Sequence, residues 1–409
     1  MAREQQAYVF IYLPGETTAV PAGIFTHYPD DGIGRFAYGR RYLDRPNAMP
    51  VDPVALPLGA RPRDVTTNGG LYGAFRDASP DYWGRLVIGA EAKVPPETLG
   101  EMDFLLQANA SRVGNLDFRM SLEQGEPDRM PPAFQSLGDL LGAASRLQEG
   151  GEVSQDLLRL LEQGSSVGGA RPKCTVGLED ALWIAKFPAK GDTVNFPRIE
   201  QANMALAKEC GITVPEMRLV DIAGRDVLLV KRFDREKTEN GYLRFAFLSA
   251  LSLMEWDERD RTLWNYPALA DRMRASILAQ PEQIRELFRR MIFNVLCRNT
   301  DDHPRNHAFL WGERGFALSP AYDIVPTPTR LGIGTDFLLS MSLGKKGREA
   351  SLGNALTMSP RFGLTLHEAE NVVDDMKACV AKWEEHFGAF AVSAGDLEAI
   401  RGCFVIAMS

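Results

Sequence analysis

Five cysteines, Cys174, Cys210, Cys297, Cys379 and Cys403, are dispersed over 409 residues and never form a Cys-x-x-Cys pair. An odd, scattered set excludes a disulfide framework and a zinc cluster built on paired cysteines, and reads as reduced, mostly buried thiols. Long hydrophobic runs are also missing. Stretches such as Ala181 to Ala185 and Val227 to Val230 fall far short of the roughly 20 residues that span a bilayer. Nor is there an excess of positive charge: 46 Lys+Arg against 54 Asp+Glu give a formal charge of −8, so no global field attracts a nucleic-acid backbone. Met1 to Gln6 lead into a strand-like segment from Tyr8 to Leu13 that stops at Pro14-Gly15, without the apolar core of a signal peptide. A cytoplasmic location with no membrane partner is expected. What remains is an ordinary globular composition, 45% hydrophobic and 24% charged, with length for two or three domains.

Three regions are expected. Residues 1–125 read as a β-rich unit: Tyr8 to Leu13, Gly34 to Leu43 and Gly114 to Met120 are β-like, with turn signals at Pro29-Asp30-Asp31-Gly32 and Asn68-Gly69-Gly70. Residues 126–238 combine helical leucine spacing (Leu137, Leu140, Leu141; Leu157, Leu158, Leu160, Leu161), two apolar strand-like runs, and between them a helix from Ile199 to Cys210. Strand, helix, strand suggests a mixed sheet. Residues 239–409 are mainly helical; Pro281 to Arg298 places Ile284, Leu287, Phe288, Met291, Val295 and Leu296 three and four apart. A helix from Thr365 to His386 starts with the Thr-x-x-Glu pattern of a capping box. The predicted class is therefore α/β (α+β) in the N-terminal part, with mixed sheets, followed by an all-α C-terminal lobe.

The sharpest motif is Asn299-Thr300-Asp301-Asp302-His303-Pro304-Arg305-Asn306, directly after the long apolar helix. It reads Asp-x-x-x-x-Asn. Phosphoryl transfer uses a carboxylate to orient and accept the proton of the attacking hydroxyl, and an amide oxygen can ligate magnesium; Asp301 and Asn306 fit these roles. The same residues also suit a polar turn between helix and strand. A third reading takes Asp301, Asp302, His303 and His307 as a metal-hydrolase patch, although no further ligand motif completes it. After a short strand and the turn Gly312 to Gly315 stands Asp323, in Tyr322-Asp323-Ile324. A second acid on a loop suits magnesium on phosphates, and equally suits a surface turn.

Upstream, Ser165-Ser166-Val167-Gly168-Gly169-Ala170-Arg171-Pro172-Lys173 matches neither the Walker nor the dinucleotide fingerprint, but its glycines let backbone N–H groups approach a phosphate. A flexible connection reads as well. Lys186, among the apolar residues Trp183 to Phe187, is unusual unless paired or at an edge; it could bridge phosphates and an acid such as Glu200. The order of parts is glycine-rich loop, strand lysine, helix acid, second strand, Asp-x-x-x-x-Asn and a later Asp. That is the order in a bilobal, protein-kinase-like active site.

These residues resemble the HipA-like serine/threonine kinases, toxin components of bacterial type II toxin–antitoxin systems. The resemblance rests on Ser166 to Lys173, Ile184 to Pro188, Leu229 to Arg235, Asn299 to Asn306 and Ser319 to Pro326. It implies ATP and Mg2+ as cofactors, Asp301 as catalytic base, and Asn306 and Asp323 as metal ligands. Val167, Gly168, Gly169, Ala170 and Lys186 would contact phosphates, and the backbone of Lys231, Arg232 and Phe233 would form a hinge against adenine. Ser166 would be autophosphorylated, with Ser165 as a neighbouring competitor. The implied partners are a HipB-like helix-turn-helix antitoxin, operator DNA through that antitoxin, and a protein substrate such as an aminoacyl-tRNA synthetase. Two alternatives stand beside it: a transcriptional co-repressor acting with a DNA-binding antitoxin, and a small-molecule kinase of the aminoglycoside phosphotransferase type. The stretch Gly73 to Arg85 suggests a branch apart from the best-known members.

Overall fold

Alternate residues of the first strand form one inward face. Ala7, Val9 and Ile11 all face inward from β1 (Gln5–Ile11), the period of two that a strand imposes. In the computed structural model, which describes residues 4–108, 111–125, 131–164, 169–275, 280–312, 315–328 and 337–408, the chain divides into two units. One comprises Met1–Lys190, Asp221–Arg225 and Leu229–Asp257; the other comprises Gly191–Val220, Asp226–Leu228 and Glu258–Ser409.

In the first unit β1 joins β2 (Val20–Tyr28), β3 (Ile33–Tyr38), β4 (Arg63–Val65) and β5 (Leu116–Arg119) in a sheet of order β4-β3-β2-β1-β5. Neighbours run antiparallel. The expected Pro29 to Gly32 signal makes the β2–β3 turn, closed by Asp31 N–H to the Tyr28 carbonyl at 3.2 Å, with Gly32 at φ +63°. Phe75 packs edge-on between Phe25 and Phe118, with centroids 5.1 and 5.0 Å away, and anchors this core.

Three helices, Gly73–Ala78, Tyr82–Ala92 and Glu101–Gln107, stand where the sequence reads as β-rich. Gly84 and Gly89 lower the local helix propensity. Burial of Trp83, Val87 and Ile88 along one face overrides it. Two further helices, Leu137–Gln148 and Gln155–Gly164, follow the expected leucine spacing. Then β6 (Lys173–Leu178) and β7 (Ala181–Lys186) form an antiparallel hairpin.

The second unit is mostly helical, as expected, with helices at Phe196–Glu209, Pro281–Leu296 and Leu366–Val380. The Thr365 capping box is present: Thr365 N–H donates to Glu368 Oε2 at 2.8 Å, and Glu368 N–H to Thr365 Oγ1 at 3.2 Å. The helix expected to continue to His386 instead ends at Val380 and resumes as Trp383–Ala389. The break buries Trp383 flat against Phe404, with centroids 4.4 Å apart. One hairpin, Ala308–Gly312 with Gly315–Leu318, follows the Asp301 loop. Among the described residues no helix is long and apolar enough to cross a membrane.

Candidate active site

The helix Pro281–Leu296 ends in a left-handed residue, Arg298 at φ +51°, and Asn299 N–H caps the Asn294 carbonyl at 2.9 Å. This reversal turns the chain into the Asp301 loop. Asp301 is exposed while Asp302 is buried, so the two neighbouring acids face opposite environments. The Asp301 backbone is held at both sides. Its N–H donates to Asn299 Oδ1 at 3.4 Å and its carbonyl accepts from Asn306 Nδ2 at 2.9 Å. Asn306 thus folds back across the loop with its amide nitrogen engaged, and Oδ1 is the atom suited to a hard cation.

Asp323 is pinned through its neighbours. Ala321 N–H donates to the Thr213 carbonyl at 2.8 Å, the Tyr322 hydroxyl donates to the Arg305 carbonyl at 2.7 Å, and Asn203 Nδ2 donates to the Ile324 carbonyl at 2.9 Å. The Tyr322 bond ties the Asp323 segment directly to the Asp301–Asn306 loop. Asp323 itself has φ +55°, a conformation that costs a non-glycine residue of order 1 kcal/mol and that concentrates at functional sites. Buried Arg290 donates to the Ser319 carbonyl at 2.5 Å and fixes the end of the hairpin.

Asp302 and His307 do not join a metal-hydrolase patch. Asp302 accepts from the Tyr266 hydroxyl at 2.8 Å and from Ser340 N–H at 2.6 Å. His307 Nε2 lies 3.2 Å from that same hydroxyl, which also accepts from Asn294 Nδ2 at 3.0 Å. The group is a buried polar network under the loop. Among the described residues no cluster of three or more His, Cys, Asp or Glu side chains could hold a metal.

Burial pushes the Asp302 carboxyl up to about 7 and the His307 imidazole down to about 3. Between about pH 4 and 6.5 the folded chain therefore holds a proton on Asp302 and none on His307, whereas the unfolded chain holds the reverse. The stability Asp302 contributes is lost as pH rises through this window, that of His307 is lost as pH falls through it, and the two slopes cancel. In Asp302→Asn the His307 slope stands alone. Its unfolding free energy, measured by urea denaturation from pH 4.5 to 6.5, should rise relative to wild type by about 1.4 kcal/mol per pH unit. Parallel profiles would mean that Asp302 is ionised in the fold.

In the first unit, Ser165, Ser166, Val167 and Gly168, expected in the phosphate-binding loop, lie outside the described residues. Gly169 and Ala170 close the loop. Gly169 has φ +118°, a conformation that strains any L side chain, and a Cβ on it would lie 2.3 Å from Lys173 Nζ, which would have to shift. Lys173 is buried and stands directly opposite Lys186 in the β6–β7 register. Their opposition brings two ammonium groups to one face of the hairpin. Lys173 is the residue that sequence reasoning passed over; counting back from Lys186 across the short Glu179-Asp180 turn would have found it.

Of the expected hinge, Lys231 is exposed and Phe233 half-buried. Arg232 has a different part: its N–H donates to the Leu182 carbonyl at 2.9 Å, and its guanidinium is buried against Asp234. Its amide is therefore already engaged and only its carbonyl could face a nucleotide.

A protein-family model, the HipA-like C-terminal domain, matches residues 165–383. A Haemophilus influenzae relative named "Putative kinase" is 26% identical over 200 residues, covering 44% of this chain and 58% of its own length. "Putative kinase Y4mE" of Sinorhizobium fredii is 26% identical over 404 residues, covering 88% of this chain and 89% of its own. A chain in the structure of the Shewanella oneidensis MR-1 toxin–antitoxin system HipA, HipB and operator DNA complex aligns over 98% of this chain and 96% of its own, with TM-score 0.64 and 14% identity. At that identity the match shows a shared fold.

Proposed function

Because the chain belongs to the HipA-like C-terminal domain family, we propose that it is an ATP- and magnesium-dependent serine/threonine protein kinase of the toxin type. The observation that carries this reading is the tie between the two acidic segments: the Tyr322 hydroxyl on the Arg305 carbonyl joins Asp323 to the loop that holds Asp301 and Asn306. The residues present fit both cofactors. Asp301, Asn306 and Asp323 are hard oxygen donors of the kind magnesium takes, and the Gly169 cradle beside the opposed Lys173 and Lys186 suits phosphates. Bound MgATP supplies the γ-phosphoryl group and the charge that neutralises its transfer.

In this reading Asp301 orients the acceptor hydroxyl and takes its proton at the exposed carboxylate. Asn306 Oδ1 and the Asp323 carboxylate hold the metal. Ala170 and Lys186, with Val167 and Gly168, hold phosphates, Gly169 shapes the segment with its own N–H engaged by Asp81, and the Lys231–Phe233 segment faces adenine. Ser166, or Ser165 beside it, is the modified serine; about two negative charges in a phosphate-binding loop would weaken nucleotide binding. The partner is a HipB-like helix-turn-helix antitoxin, through which operator DNA is reached, since the chain's own charge of −8 gives no general attraction to DNA. The substrate is a cytoplasmic protein, for which an aminoacyl-tRNA synthetase is the first to try.

Incubation of the purified chain with MgATP, followed by intact-mass and peptide mass spectrometry, should show phosphate gained at Ser166 or Ser165. A chain that neither gains phosphate nor binds ATP would leave co-repression with the antitoxin as the reading. A further variant probes the cradle. Gly169→Ala places a methyl group on the Lys173 ammonium, and MgATP affinity in an equilibrium titration should fall by at least about tenfold, the equivalent of about 1.4 kcal/mol. Unchanged affinity would remove Gly169 and Lys173 from the phosphate site.

A further inference from the structure

The segment Asp81-Tyr82-Trp83, which the proposed chemistry leaves unused, lies against the glycine-rich loop within the first unit. Asp81 Oδ2 accepts the Gly169 N–H at 2.7 Å. The Trp83 N–H donates to the Gly169 carbonyl at 3.4 Å, and the buried Trp83 indole Nε1 donates to the Lys173 carbonyl at 2.8 Å. Three hydrogen bonds from one helix N-terminus thus hold both ends of the Gly169–Lys173 segment, in which the Lys173 ammonium lies 2.3 Å from where a Cβ on Gly169 would stand. Asp81 and Gly169 are 88 positions apart in the chain, so the contact belongs to tertiary packing and not to the loop's own turn.

From this geometry we infer that Asp81 is a positioning residue for nucleotide binding: its carboxylate, with Trp83, holds Gly169 and Lys173 in the conformation that receives phosphates. The inference rests on the kinase reading above and deepens it. The carboxylate's charge is offset by Arg76, whose Nη1 lies 3.2 Å from Asp81 Oδ1, so it does not act as a bare repulsive charge toward a phosphate. A glycine amide held by a charged acceptor gives up conformational freedom before the ligand arrives, and preorganisation of this kind is expressed in affinity.

The test uses the full chain with Asp81→Ser and Asp81→Asn. Asp81 occupies the N-cap position of the helix Tyr82–Ala92, where serine and asparagine are both favoured, so each variant keeps the helix start. Serine withdraws the acceptor from Gly169, and asparagine keeps an oxygen at the same reach. Asp81→Ser should weaken MgATP binding by about tenfold, accelerate hydrogen exchange at the Gly169 amide, and leave the self-phosphorylation rate at saturating ATP within about threefold of wild type. Asp81→Asn should restore affinity to within about threefold. Unchanged or tighter MgATP binding in Asp81→Ser, or a loss of maximal rate at unchanged affinity, would overturn the positioning role and leave the kinase reading standing. Failure of the wild type to bind MgATP would remove both.

Discussion

Asp301→Asn should lower the rate of phosphoryl transfer by about 10²–10⁴-fold, the usual contribution of a positioned general base, while MgATP affinity and thermal stability stay near wild type. The carboxylate is exposed and its backbone is held by Asn299 and Asn306, so asparagine can occupy the same place without disturbing the loop. What it lacks is a group that can take the acceptor's proton. Exposed substitutions away from caps and networks change stability by only about 0.5 kcal/mol, so a lost rate cannot be charged to unfolding. Intact-mass measurement of phosphate gained over time, with an ATP titration alongside, separates the two quantities. A variant keeping more than about a tenth of the wild-type rate would take the base role from Asp301.

Asp234→Ala should destabilise the first unit by about 3–5 kcal/mol, the cost of breaking a buried ion pair from one side. Asp234 accepts from Arg232 Nε at 2.9 Å and Nη2 at 2.8 Å, from Arg235 Nη1 at 2.8 Å and from Gly114 N–H at 3.0 Å. Arg232 and Arg235 reach onward to the carbonyls of Ser111 and Arg112. Burial by itself would raise the Asp234 pKa, and the two guanidiniums reverse this and hold the carboxyl below the usual carboxylate range. Removing the carboxylate strands two buried cations that cannot release their protons. Against a domain stability of about 5–15 kcal/mol this is a large fraction, and a urea midpoint should fall accordingly. Arg232→Met combined with Asp234→Leu leaves one stranded cation, Arg235, instead of two, and should cost less than Asp234→Ala alone. Equal losses would show that packing, not charge, dominates at this cluster.

Much of the fold around the candidate site was legible because its signals are local. Leucine and isoleucine spacing located the helix Pro281–Leu296, Thr365 and Glu368 marked a helix start, and Asp301, Asn306 and Asp323 fell on loops flanking an apolar hairpin. Periodicity, capping and turn chemistry act over three to five neighbouring residues, and the chain carries them on its face. Partner choice is different in kind. Nothing adjacent distinguishes Asp301 from Asp302, yet the fold exposes one and buries the other beneath Tyr266 and Ser340. Arg232 reads as part of a hinge, but its side chain belongs to Asp234 and to carbonyls 120 and 121 positions away. Lys173 gained its place opposite Lys186 by strand register, and Gly169 its hold on Asp81 by the docking of a helix whose own glycines disguise it. The residue types and their order carry the resemblance on which the proposed phosphate-handling chemistry rests. Which copy of each type stands at the surface, and what steadies it, followed from long-range burial and pairing, because desolvation and hydrogen-bond partners are properties of neighbours in space and not of neighbours along the chain.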